Sequence, residues 1–193
     1  SANVAYRDSI ETHTHHAADS EGSKCYNCHM PHTSFALLKA IRSHRIASPT
    51  ATMTFKYDRP NACNLCHLDR TLEWTANTLS DWYGQEPVNV GPVAQETSAM
   101  LLYAITGDAV QRSVMAWHLG WKPAKEVSGT HWQVPFLAML LEDPYSAVRF
   151  VAYESLKTYP GYEDFEYDSV GSVESLAAAR DRAVDAWRNA QKP

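Results

Sequence analysis

Hydrophobic positions follow a helical period in the second half of the chain, whereas the first half has short apolar pieces that proline interrupts. The clearest early helix is predicted at residues 71–83, where Leu72 and Leu79 share one face and Gly84 follows the last turn. From about residue 93 onwards the apolar periodicity extends over longer segments without cysteine. It predicts helices at residues 94–106, 108–119, 132–141, 147–159 and 173–189. The predicted fold class is therefore mainly α.

An Asp-Pro turn separates two of these predicted helices. Asp143 begins the turn and Arg149 follows on the next helix, an arrangement that resembles HEAT repeats, in which an aspartate and an arginine brace successive helix pairs. The resemblance covers residues 93–160 and implies two units spaced by roughly 36 residues, with a last helix as a cap. Two repeats are fewer than a free-standing solenoid needs. We therefore expect a HEAT-like helical region, residues 91–193, packed against residues 1–90 as one compact unit.

The cysteines of the first region indicate its chemistry. All four lie in C-x-x-C-H pentapeptides, which are Cys25-Tyr26-Asn27-Cys28-His29 and Cys63-Asn64-Leu65-Cys66-His67. This pattern is the signature of c-type haem attachment, because two thiols at this spacing can bind both vinyl groups of one porphyrin and the histidine can ligate the iron. The sequence predicts two covalently bound haem c groups, with His29 and His67 as proximal ligands. The haems would supply the core that residues 1–90, with little regular structure, otherwise lack.

A structural zinc site built from the two cysteine pairs is the main alternative to haem. The segment between Cys28 and Cys63 is longer than the ~15 to 20 residues typical of such a site. Zinc also gives no reason for a histidine directly after both pairs. Haem is therefore the favoured interpretation.

Each iron needs a sixth ligand, and seven histidines compete for the two places. They are His13, His15, His16, His32, His44, His118 and His131. A methionine ligand would raise the reduction potential, but Met30 is too close to its own motif and the other methionines fit helix or core positions. Two bis-histidine haems are therefore expected, and spacing favours His16 and His44 as the distal ligands.

The segment containing both motifs resembles the last two haem motifs of pentahaem cytochrome c nitrite reductases and related multihaem cytochromes. The resemblance covers residues 13–70 and includes the H-x-x-x-S-P element that begins at His44. It implies that His16 ligates the second haem, with His13 and His15 as near alternatives.

This chain departs from that family because the three upstream motifs, including the C-x-x-C-K of the catalytic haem, are absent from it. Nitrite reduction is therefore not expected. The family uses the histidine of the H-x-x-x-S-P element on a haem from an earlier part of the chain. By this resemblance His44 is expected on the first haem here, or on a haem of a neighbouring subunit. The family's downstream ligand corresponds to His118, the alternative for the first haem, or to His131.

Electron transfer by a protein that is not an enzyme is the favoured function, with redox proteins as partners. A variant joins identical subunits through haem–haem contacts or through His44. One alternative function is a haem enzyme or gas-binding sensor with one open iron position. Another is an electron-entry module of a larger multihaem complex.

Net charge, the length of apolar runs and the place of haem attachment give expectations about binding partners and localisation. The chain has 17 basic and 22 acidic residues, a net charge of -5, and both signs are interspersed, so no nucleic-acid binding is expected. The longest apolar run, residues 134–141, is far shorter than the ~18 residues of a membrane span. Because c-type haem is attached outside the cytoplasm, the protein is expected to be exported to the periplasm or the cell surface.

Overall fold

The computed structural model describes residues 9–192, and helices dominate this part of the chain, as the hydrophobic pattern predicts. Its eleven α-helices are α1 (Ile10–Thr14), α2 (Cys25–His29), α3 (Ala51–Tyr57), α4 (Leu72–Tyr83), α5 (Pro92–Glu96), α6 (Ala99–Thr106), α7 (Ala109–Gly120), α8 (Lys122–Ser128), α9 (Val134–Leu140), α10 (Ser146–Leu156) and α11 (Val173–Ala190). One antiparallel hairpin joins β1 (Ser34–Ala36) to β2 (Lys39–Ile41). Within residues 9–192, no helix has the length and apolar character that crossing a bilayer requires.

The first region consists of short helices and turns, in keeping with its interrupted apolar pattern. Helices α1 and α2 have five residues each and α3 has seven, and single 3-10 turns lie at Glu21–Ser23 and Cys63–Leu65. Helices of this length are marginal by themselves in water. Their positions therefore depend on contacts with the rest of the protein and on any group that they bind.

The hairpin turns at Leu37 and Leu38, which connect the paired residues Ala36 and Lys39. Both leucines have positive φ, 53° and 55°. A two-residue turn of this kind normally contains Asn-Gly, because a left-handed backbone is costly for residues with larger side chains. The sequence pattern does not predict the hairpin, since Leu-Leu carries no turn signal. The two strands pack against α7.

Most predicted helices are present, with ends shifted by a few residues. The helix predicted at residues 71–83 is α4, which Thr71 caps and left-handed Gly84 ends. The helix predicted at residues 94–106 divides into α5 and α6, because Thr97 adopts an extended conformation and Ser98 caps α6 and pairs with Thr71. The other four predictions correspond to α7, α9, α10 and α11, whereas α8 has no predicted counterpart.

An arginine and an aspartate connect successive helix pairs of the second region. The Arg112 side chain in α7 donates two hydrogen bonds to the Asp143 carboxylate, at 2.6 and 3.1 Å. Arg149 in α10 donates to the backbone carbonyls of Asp143 and Ser169. Helix α7 packs closely against α10. Such bracing agrees with the HEAT-like expectation, which stays a prediction.

One apolar cluster contains residues from both predicted regions. Ala40 of the hairpin, Leu65 of the second motif and Leu68 directly after that motif share it with buried residues of α6, α7, α9 and α10. The Ser128 hydroxyl, at the end of α8, accepts a hydrogen bond from the Leu68 amide and donates one to the Cys66 carbonyl, both at 2.8 Å. The helical region thus supports the second motif directly, while the proposed boundary near residue 90 stays a prediction.

Candidate haem sites

The first motif forms the single-turn helix α2. Its histidine, His29, is half-buried and its Nδ1 lies 3.2 Å from the carbonyl oxygen of Ala47. A carbonyl oxygen can only accept, so Nδ1 carries the proton and Nε2 presents a lone pair. This is the arrangement that a histidine needs in order to ligate a metal through Nε2.

The second motif is a 3-10 turn followed by His67. The Asn61 side-chain oxygen accepts a hydrogen bond from the Cys63 amide at 3.1 Å and so fixes the start of the turn. The His67 ring lies 5.0 Å from the Trp74 ring. Burial lowers the pKa of His67, and the nearby His16 ring lowers it further. The lowered pKa favours the neutral imidazole, which is the form that binds metals.

The cysteines of both motifs are unpaired thiols. Cys25 is exposed, and the other three are partly buried. Burial raises the pKa of Cys63 and of Cys66 to about 12, and the nearby Cys28 thiol adds to both shifts. The Cys28 thiol therefore lies near the second motif, and each motif offers two unpaired thiols and one imidazole.

In each of two histidine pairs, one ring belongs to a motif and the other ring faces it. The ring centroids of His13 and His29 are 6.2 Å apart, with the ring planes at 8°. Those of His16 and His67 are also 6.2 Å apart, at 40°. With metal–nitrogen bonds of about 2 Å and a ring nitrogen about 1.1 Å from its centroid, two imidazoles on opposite sides of one metal have centroids about 6 Å apart. Both pairs therefore have the separation that bis-histidine ligation requires.

Local contacts fix the orientation of the His16 ring. Its Nδ1 donates to the Thr14 carbonyl at 2.5 Å, which leaves Nε2 as the free acceptor. The Thr14 and Ser23 hydroxyls are 2.9 Å apart, and Ser23 also donates to the His16 carbonyl. Gly22 lies directly against the ring, because a Cβ at that position would be 2.2 Å from His16 Cδ2.

The turn after α1 separates neighbouring histidines. His15 has a left-handed backbone, with φ of 55°, and its ring stacks on Trp82 with centroids 4.3 Å apart. The Tyr83 hydroxyl donates to the carbonyl of His13 at 2.8 Å. The turn and these contacts with α4 direct His13 to the first motif and His16 to the second. The structure thus places the His16 ring opposite His67 and the His15 ring against Trp82, while ligation by His16 stays a prediction.

Two other candidate distal histidines, His44 and His131, do not belong to either facing pair. His44 is exposed in the segment between β2 and α3, and the structure brings His13, instead of His44, opposite His29. His131 is exposed, and its carbonyl accepts hydrogen bonds from the side chains of two C-terminal residues. The family resemblance gave His13 only as an alternative for the second haem. The sequence signal for its position opposite His29 is the His13–His16 spacing combined with a break in the helix between them.

His118 is completely buried in α7. Its Nδ1 donates to the Val114 carbonyl at 2.8 Å, and burial lowers its pKa to about 3. Its ring contacts are with His32, Trp117 and Trp121, and no motif histidine is among the ring neighbours found in residues 9–192. The structure therefore places His118 in an aromatic cluster and does not bring it opposite His29.

The space next to the first motif suits a large flat group. A cavity of about 540 Å³ lies beside Cys28 and His29, and its walls include Met53, Tyr57 and Arg45. Two thiols, a facing pair of imidazoles and an adjacent cavity fit the donor set and the size of a haem c group. The residues present therefore fit the cofactor that the motifs predict.

Comparison with known proteins agrees with this chemistry. The family model described as cytochrome c552 matches residues 9–98, which include both motifs and both facing histidine pairs. No curated protein and no solved structure gives a significant match to the chain. The matched segment, just under half of the chain, supports a c-type cytochrome of the multihaem kind with covalently bound haem c.

Proposed function

We propose that this protein is a dihaem c-type cytochrome that transfers electrons and does not convert a substrate. The first haem would be attached to Cys25 and Cys28, with His29 and His13 as its axial ligands. The second would be attached to Cys63 and Cys66, with His67 and His16. The observation that carries this proposal is the separation of 6.2 Å within each histidine pair.

Bis-histidine ligation favours electron transfer over catalysis. A bound haem would supply a one-electron iron couple, and two imidazole ligands would hold its potential below that of an imidazole–methionine pair. Because two imidazoles would bind each iron, no position on it would be left for a substrate or a gas. Backbone carbonyls fix the Nδ1 protons of His29 and His16, so the rings need little reorganisation on a change of iron charge.

The two sites share one short segment of the chain. His13 and His16 are three residues apart, and each faces a different motif. The Cys28 thiol also lies near enough to Cys63 to raise its pKa. This proximity supports electron exchange between two neighbouring haems.

The proposal includes the compartment and the partners. Haem attachment to C-x-x-C-H motifs takes place outside the cytoplasm, so the protein would act in the periplasm or at the cell surface, with redox proteins as donors and acceptors. His44 is exposed, and its neighbours Ser43 and Arg45 line the cavity of the first site. Because two imidazoles of the same chain would hold each iron, the proposal gives His44 no role as a ligand between subunits.

Visible absorption spectra with and without carbon monoxide test the ligation. Two haems per chain are expected by pyridine haemochrome assay and intact mass, and both ferrous haems should be low-spin and should not bind carbon monoxide. His13→Ala and His16→Ala should each make one of the two haems bind carbon monoxide.

Two exposed histidines provide the controls. His44→Ala and His131→Ala should leave the spectra unchanged. If His44→Ala opens a haem and His13→Ala does not, the assignment of His13 is wrong. If the unaltered protein binds carbon monoxide, a haem enzyme or gas sensor replaces the electron carrier as the better explanation.

A further inference from the structure

The tip of the β1–β2 hairpin is an unusual apolar projection. Leu37 is 86% exposed and Leu38 is 48% exposed, and both hold a strained left-handed backbone. Strain of this kind persists where the surrounding structure over-determines it, and it is concentrated at functional positions. Asn-Gly would form the same turn without strain and without an exposed apolar surface. The tip therefore has two features that stability alone does not explain.

A surface cleft in the second, helical region has an apolar wall that could receive the apolar hairpin tip. It lies between residues 166–168 and α11, has a volume of about 480 Å³, and has largely apolar walls that include Ala178 and Ala179. Glu166 and Asp168 are exposed on its rim. The cleft is shallow, its exposed wall is mainly apolar, and the two carboxylates make its rim acidic.

The charges around the two features are opposite. Residues 30–59 contain five basic residues and one acidic residue, and Lys39 follows the hairpin tip directly. Residues 163–168 contain four acidic residues and no basic one. The one basic side chain on the cleft wall, Arg182, donates to the Glu166 carbonyl and lies over the Phe165 ring.

We propose that two copies of this chain associate head to tail, with Leu37 and Leu38 of one copy in the cleft of the next. Lys39 would then lie near the acidic rim of the neighbour. Because the tip and the cleft are different surfaces, the contact is heterologous, and each added copy leaves one free tip and one free cleft. This inference goes beyond electron transfer and does not depend on the ligation of either haem.

Sedimentation velocity of the haem-loaded protein over a concentration series tests the contact. The protein should form dimers and larger species as its concentration rises, and added salt should weaken them. Leu37→Asn/Leu38→Gly, which keeps the turn, and Ala178→Trp, which fills the cleft from an exposed helix position, should each weaken association at least tenfold. Circular dichroism and visible spectra should stay unchanged in both variants.

Mixing the two variants gives the decisive result. The tip variant has an intact cleft and the cleft variant has an intact tip, so an equimolar mixture should form a dimer that grows no further. Ile46→Asn is the matched control, because Ile46 is 76% exposed in the same basic segment but lies outside the proposed contact. It should associate like the unaltered protein.

Three results would overturn the proposal. They are a protein that stays monomeric at every concentration, association that survives both variants, and a mixture that forms no dimer. The readout is mass, so failure here leaves the spectroscopic test of the haem ligands unaffected, and failure of that test leaves this one intact.

Discussion

Gly22 sets the position of the His16 ring, so under the proposed ligation its replacement with alanine should open the second haem. The new Cβ would be 2.2 Å from Cδ2 and 2.4 Å from Cγ of His16, whereas ordinary contacts of a Cβ begin at 3.4 Å. The ring would have to retreat by about 1 Å, half the length of a metal–imidazole bond of about 2 Å. The ring cannot simply turn away, because its Nδ1 is held by the Thr14 carbonyl.

Titration of the reduced protein with carbon monoxide measures this effect. In Gly22→Ala, one of the two haems should become high-spin and bind carbon monoxide, while the haem of the first motif stays unreactive. Gly91→Ala is the matched control, since no atom lies within 4 Å of a Cβ at that position. If Gly22→Ala remains fully low-spin and unreactive, His16 is not the distal ligand of the second haem.

Three further predictions concern stability. Asp143→Ala should lower the free energy of unfolding by about 3 kcal/mol in denaturant titrations, because it leaves the largely buried guanidinium of Arg112 unpaired. The control is Glu126→Ala, which removes an exposed ion pair and should have little effect on stability. Equal losses of stability in the two variants would contradict the reasoning. Leu37→Asn/Leu38→Gly should raise the free energy of unfolding of the monomer by about 2 kcal/mol, and a loss would show that the turn is not strained. Burial raises the pKa of Tyr167 to about 12, so its contribution to stability is complete below pH ~10 and is lost as the pH rises towards 12. Tyr167→Phe should therefore lose less stability over this interval, and an identical loss would exclude a role for this group.

Local sequence signals predict much of the helical region correctly. Asp108 precedes α7 with Gln111 three residues later, and the structure has the full capping box there. Gly84 and Thr71 bound α4 where the pattern places its ends. Where the prediction fails, at residues 94–106, a bridge between Ser98 and the distant Thr71 interrupts the helix, and no local pattern contains that contact.

The hairpin is a second element that local sequence signals do not predict. Leu37 and Leu38 have neither the propensity nor the polarity of turn residues, so the sequence carries no signal for them. The turn forms because its strands pack against α7 and because the Arg42 side chain donates to the carbonyls of Tyr26 and Met30 beside the first motif. Tertiary contacts here override local preference.

The sequence by itself determined the chemistry of haem attachment, because thiols and proximal histidine lie within five consecutive residues of each motif. It favoured His16, which faces His67 in the structure, but not His13, which faces His29, because the approach of these rings depends on tertiary packing. The position of His13, instead of His44, opposite His29 follows from the left-handed turn at His15, the stacking of its ring on Trp82 and the Tyr83 hydrogen bond. These contacts join residues about 70 positions apart, so only the folded chain brings the two facing imidazole pairs together.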